Sequence, residues 1–183
     1  MIKKEGAVSP VIGVLLMLVV TIIIAAVVSA FAGGLTSGQS KAPQMTVEAT
    51  YSLTDGMMIK HNGGDTLSVQ DTKILVRPTN QFGNYEQLSW FINRTAIQNY
   101  ADQSKNWGSS SSSYKMTIFG PGQTLYISPA NLTKVQENND GSLISSTAAY
   151  NFDLSSNIGK SFNLYLVDQG NKEFAQTAVS IDP

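Results

Sequence analysis

AVSPVIGVLLMLVVTIIIAAVVSAFA, residues 7–32, runs for 26 positions without a charged side chain. Within it, Val11 to Ala32 is 22 residues long and 14 of these are Val, Ile, Leu or Phe, enough helix to cross a hydrocarbon layer of about 30 Å. At roughly −0.3 to −0.6 kcal/mol per large aliphatic residue on an insertion scale, they outweigh Gly13, Thr21 and Ser29. The segment therefore belongs in lipid or in a dry protein core. Periodicity does not separate helix from strand here, because the run is apolar on every side and rich in Val and Ile. Length does: 22 residues is far beyond an ordinary strand, and a lone strand in a bilayer leaves its backbone hydrogen bonds unmade. Ser9 suits an N-cap, Pro10 suits the first helical position, and Gly33-Gly34 suits the helix end.

Before the run stands MIKKEG, residues 1–6, whose Lys3 and Lys4 are expected to hold this end in the cytoplasm and so place the bulk of the chain outside. A secretory signal would have a basic start, an apolar stretch of about 7 to 15 residues and a small-x-small cleavage site. Ala30-Phe31-Ala32 supplies such a site, but the apolar run is too long for that template. The other end of the run reads differently. Lys4-Glu5-Gly6 followed by Ala7-Val8 resembles the site cut by prepilin peptidases, and AVSPVIG, residues 7–13, is similar to the start of archaeal type IV pilins. Bacterial type IV pilins usually carry a Glu at the fifth mature position, where this chain would have Val11, so the resemblance is to the archaeal branch. The glycine-rich start of archaellins is absent.

The resemblance implies a prepilin with a class III signal peptide, cut between Gly6 and Ala7 so that the helix is kept. Lys4, Glu5, Gly6 and Ala7 would serve processing. Val11, Val14, Leu15, Leu18, Ile22, Ala25 and Phe31 would serve membrane residence and then subunit packing. It also implies the partners: copies of the same chain in a homopolymer filament, a prepilin peptidase, a pilus assembly ATPase, a membrane platform protein, and the cytoplasmic membrane before assembly. No cofactor is implied, and attachment to surfaces is the expected role. A helix that leaves the bilayer needs an equally dry destination, which many copies packed together provide. Removal of residues 1–6 leaves 10 basic and 12 acidic residues. The alternatives are an archaellin or minor pilin-like subunit, or a membrane-anchored or secreted β-sandwich binding protein that forms no filament.

Outward on the other side, LTSGQSKAP, residues 35–43, reads as a linker. The organisation is thus a leader, 1–6; a hydrophobic helix, 7–34; a linker, 35–43; and a head, 44–183, of a size that supports a single core. The head carries short β-branched and aromatic runs divided by turn signals at Asp55-Gly56, Gly63-Gly64, Gly120-Pro121-Gly122, Asp140-Gly141 and Gly170-Asn171. Strands are predicted near residues 45–53, 57–61, 68–77, 87–92, 115–119, 124–128, 148–154, 161–168 and 173–181. The expected fold class is α+β: a long apolar helix followed by an all-β, sandwich-like head. Residues 100–114, with a serine run at 109–113, read as an exposed loop, and 131–146 as a short helix or loop. Lys60 to Thr66, KHNGGDT, and Phe119 to Thr124, FGPGQT, resemble turns of archaeal pilin heads.

There is no cysteine, so neither disulfides nor thiolate metal sites are available. The 12 Lys plus Arg and 13 Asp plus Glu are scattered and nearly balanced, which does not point to nucleic acid. His61 is the only histidine, so no His-His metal motif or two-imidazole site can be assembled, and it reads as a turn or packing residue. Gly63-Gly64 lacks the GxxxxGK[ST] context of a phosphate loop and reads as a tight hairpin turn. Glu137-Asn138-Asn139-Asp140-Gly141 offers oxygen ligands without the acidic spacing of an EF-hand loop. Asn93-Arg94-Thr95 and Asn131-Leu132-Thr133 match the N-glycosylation acceptor pattern, and the inferred topology places both outside the cell. No catalytic motif is present, and an enzyme is not expected.

Overall fold

A computed structural model describes residues 8–35 and 43–183. The chain divides into two compact units, residues 1–41 and 42–183. The first contains one helix, α1 (Val8–Leu35), which begins before Ser9 and runs through Gly33 and Gly34. Ser9 and Pro10 therefore lie in its first turn, where backbone N–H groups have no intrahelical acceptor and a proline is tolerated.

The second unit holds ten strands: β1 (Met45–Ser52), β2 (Gly56–Gly64), β3 (Leu67–Ser68), β4 (Thr72–Pro78), β5 (Trp90–Phe91), β6 (Gln98–Asn99), β7 (Ile118–Phe119), β8 (Thr124–Ile127), β9 (Ser161–Asp168) and β10 (Glu173–Asp182). Eight of them join in one curled sheet in the order β5-β4-β9-β10-β1-β2-β8-β6, and β3 and β7 form a separate ribbon. All pairings between these strands are antiparallel except β1 with β10, which run parallel with Tyr51 opposite Ile181. The first and last strands of the head thus lie side by side in the middle of the sheet.

Alternation explains which face is buried. Val47, Ala49 and Tyr51 of β1, Met57, Ile59 and His61 of β2, and Phe162, Leu164 and Leu166 of β9 point inward, while Glu48, Thr50 and Lys60 point outward. Packed with the inward residues in one core are Phe82, Trp90, Ile97, Trp107, Phe119, Leu132 and Phe152, from short strands, 3-10 turns and loops. Eight strands thus join as one curled sheet, β3 and β7 stand apart from it, and much of what lies against the sheet is connecting chain.

Four sequence expectations change. Residues 68–77 divide into β3 and β4 at a turn in which the Asp71 N–H donates to the Ser68 carbonyl. Residues 87–92 and 115–119 shorten to two-residue strands, while Gln98–Asn99 forms the unanticipated β6. Residues 148–154 form turns instead of a strand. There Asn151 caps the Asp153 N–H, Asn157 donates to the Ala149 and Asn151 carbonyls, and Gln136 both donates to the Tyr150 carbonyl and accepts from the Phe152 N–H. These amides supply the hydrogen bonds a ladder would have made, and Phe152 is free to enter the core and stack on Phe162 at 4.2 Å. The loop 100–114 is irregular as expected, but Trp107 inside it is buried and packs edge-on against Phe119, which ties the loop down. Residues 129–135 form a 3-10 helix.

Candidate assembly helix and the corner where the chain enters the head

Every described side chain of α1, residues 10–31, is exposed within the single chain. Fifteen large apolar residues, from Val11 to Phe31, are each 46% to 71% accessible, among them Val11, Val14, Leu15, Leu18, Ile22 and Phe31. Ala25 is exposed too. Pro10–Phe31 has a mean hydropathy of 3.3 and is long enough to cross a membrane. The Thr21 hydroxyl in mid-helix is satisfied internally, with Oγ1 donating to the Leu18 carbonyl at 2.9 Å. Covering the area these fifteen side chains still expose is worth about 1 kcal/mol each, on the order of 15 kcal/mol together. That is comparable to the whole stability of an ordinary domain, so this helix calls for a dry environment. Lys4, Glu5, Gly6 and Ala7 lie outside the described residues, as does most of the stretch 35–43.

The two loop motifs noted in the sequence meet at the start of the head. Lys60 pairs with Thr124 across β2 and β8. The His61 N–H donates to the Gln123 carbonyl at 2.9 Å, and the Gly122 N–H donates to the His61 carbonyl at 2.8 Å. Gln123 folds back to accept from the Gly120 N–H at 2.8 Å, and the His61 ring packs edge-on against Phe119. Gly63 and Gly64 are not a hairpin turn: they are the last residues of β2 and pair with Thr46 and Met45, beyond a bulge that leaves Asn62 without a partner in register. The second glycine has φ +106°, and a Cβ there would lie 2.2 Å from the Gln44 carbonyl oxygen. Only glycine permits so close an approach.

That approach lets Asp65 hold the first residues of the head. Its carboxylate accepts from the Gln44 N–H at 3.0 Å while its own N–H donates to the Gln44 carbonyl at 2.8 Å. The His61 Nε2–H in turn donates to the Asp65 carbonyl at 2.9 Å. Since a carbonyl only accepts, Nε2 carries a proton, and Nδ1 is buried with no hydrogen-bond partner among the described residues. His61 is thus a packing residue that braces the corner from inside. This fits its reading as a turn or packing residue; Asp65 stands four residues on, whereas Phe119, Gly122 and Gln123 come from a distant loop that its spacing does not reveal.

The remaining sequence candidates have local roles. Asn93 caps a 3-10 turn through Oδ1, which accepts from the Thr95 N–H and hydroxyl, and its Nδ2 donates to Glu137. Asn131 makes one side-chain bond, donating from Nδ2 to Ser128 Oγ at 3.1 Å. Asp140 accepts from the Ser142 hydroxyl and N–H, and these bonds hold its carboxyl below the usual range. Burial raises the Asp153 carboxyl, and burial followed by the nearby Asp153 charge raises the Tyr51 hydroxyl.

Residues 6–47 match the family model of the N-terminal region of archaeal type IV pilins, covering α1 and the first residues of the head. A stretch of 75 residues, 39% of the chain, is 43% identical to an uncharacterized protein of Archaeoglobus fulgidus. It covers 52% of that protein, so the match spans about half the relative's length.

Proposed function

We propose, from the premise that an archaeal type IV pilin N-terminal region precedes a β head, that this chain is the precursor of the structural subunit of a surface pilus. A pilin-like subunit is a structural element, and its chemistry is assembly. In this reading a prepilin peptidase cuts between Gly6 and Ala7, and α1 waits in the cytoplasmic membrane. An assembly ATPase and platform protein then draw it into a filament, where copies of α1 cover one another. The head faces outward and mediates attachment. The observation that carries the reading is a 22-residue span that is apolar on every face and uncovered in the single chain, inside the region matched to the family. Both acceptor motifs stay open on the same reading, since Asn93 and Asn131 each donate one hydrogen bond from Nδ2, the atom that would carry a glycan, and Asn93 also holds its turn through Oδ1.

The test is N-terminal sequencing and intact mass of the protein from cells, followed by electron microscopy of shed material. A start at Ala7, with the helix retained and filaments present, is the expected result. A start at Gly33, or an uncut Met1 with no filaments, rejects the pilus reading. The same mass spectrum reports whether a glycan is carried at Asn93 or Asn131.

A further inference from the structure

The outer face of β1, β2, β8 and β6 carries a groove of about 380 Å³ lined by Glu48, Thr50, Met58, Lys60, Tyr100 and Thr124. Strand register sets the lining out as a grid. Glu48, Lys60 and Thr124 lie in one row across three strands, and Thr50, Met58 and Tyr126 in the next. Tyr100, just past β6, is joined to the first row through its N–H, which donates to the Thr124 carbonyl at 2.9 Å. Its ring stands edge-on to that of Tyr126, at 5.9 Å between centroids, and 54% of the residue is exposed. The core lies on the opposite face, under Val47, Ala49, Met57, Ile59 and Leu125, so this tyrosine is not held here by core packing.

We propose that this groove binds a neutral sugar unit, and is the attachment patch of the head on the pilus reading above. The lining selects the ligand by charge. It has one carboxylate and one ammonium, facing each other across β1 and β2, and no net formal charge. An acidic ligand would gain Lys60 but be opposed by Glu48, and a cationic one would gain Glu48 but be opposed by Lys60. A polyol suits both: a carboxylate accepts from hydroxyls, an ammonium donates to them, and the Thr50 and Thr124 hydroxyls do either. Asn62 Nδ2 donates to Glu48 Oε2 at 3.1 Å, which helps to set the carboxylate in the face. Tyr100 offers a ring for the C–H side of the sugar and a hydroxyl for its edge, the amphipathic contact that makes tyrosine frequent at binding surfaces.

The experiment uses the full chain in detergent micelles, immobilised and challenged with neutral and acidic oligosaccharides. At least one neutral oligosaccharide is retained by the wild type. Tyr100→Ala weakens it at least roughly fivefold, as loss of an aromatic anchor does. Glu48→Gln, which keeps the shape, weakens it as well. Tyr114→Ala, an equally exposed tyrosine outside the groove lining, binds as the wild type does. Retention of no neutral sugar, retention of acidic ones alone, or equal loss in Tyr100→Ala and Tyr114→Ala overturns the proposal. So does a cysteine placed at Thr50 that cross-links copies within filaments, since the face is then a subunit contact. Micelle binding does not require polymerisation, so sugar binding without filaments sinks only the pilus reading, and filaments without sugar binding sink only this one.

Discussion

Asp65 and Gly64 act as a pair at the residue scale. The glycine lets the backbone of β2 come close to Gln44, and the acid then closes two hydrogen bonds onto that residue. The sequence marks this position as a turn, because Gly-Gly-Asp is turn chemistry; the structure uses the same conformational freedom to bring two backbones together. Gly64→Ala is expected to destabilise the head by at least about 2 kcal/mol, since it adds a Cβ against a carbonyl at a positive φ. Chemical denaturation of the wild type and variant measures it, and an unchanged midpoint would show that the approach is not required.

Elements of the chain were legible to different degrees, for reasons visible in particular residues. β1, β2, β8, β9 and β10 alternate inward apolar and outward polar residues over four or more positions, a local signal that survives folding. Residues 148–154 carry a similar apolar spacing through Tyr150, Phe152 and Leu154, yet they form turns, because the buried amides of Gln136, Asn151 and Asn157 supply their hydrogen bonds from the side. Phe152 belongs to the core all the same, so Phe152→Ala should cost about 3–5 kcal/mol in an unfolding measurement. A loss below about 1 kcal/mol would mean that the segment only covers the surface. For α1 the sensitive quantity is charge. On the pilus reading, Leu18→Lys puts an ammonium in mid-span at a cost of roughly 2.5 to 3.5 kcal/mol, and should weaken membrane association and block filaments in fractionation and microscopy. Normal assembly of that variant would remove α1 from the filament core.

For the whole molecule, the two units have opposite needs. The head buries its own apolar residues in one core, whereas α1 leaves its apolar side chains uncovered. A chain beginning at Gln44 should therefore be soluble and melt cooperatively, while the full chain needs detergent. Circular dichroism melts and sedimentation of the two forms provide the check, and a truncated head that aggregates or melts without a transition would show that it depends on the helix. The sequence by itself determined the membrane-length helix, the α+β class and the pilin-like character, because an uncharged run of 26 residues and its flanking motif are properties of contiguous chain. Tertiary structure alone decided that β1 and β10 lie parallel at the centre of the sheet, that Phe152 leaves a turn to enter the core, and that KHNGGDT meets FGPGQT where the head begins. Each of these is a pairing between distant residues, and apolar alternation specifies which side of a strand is buried without specifying what it is buried against.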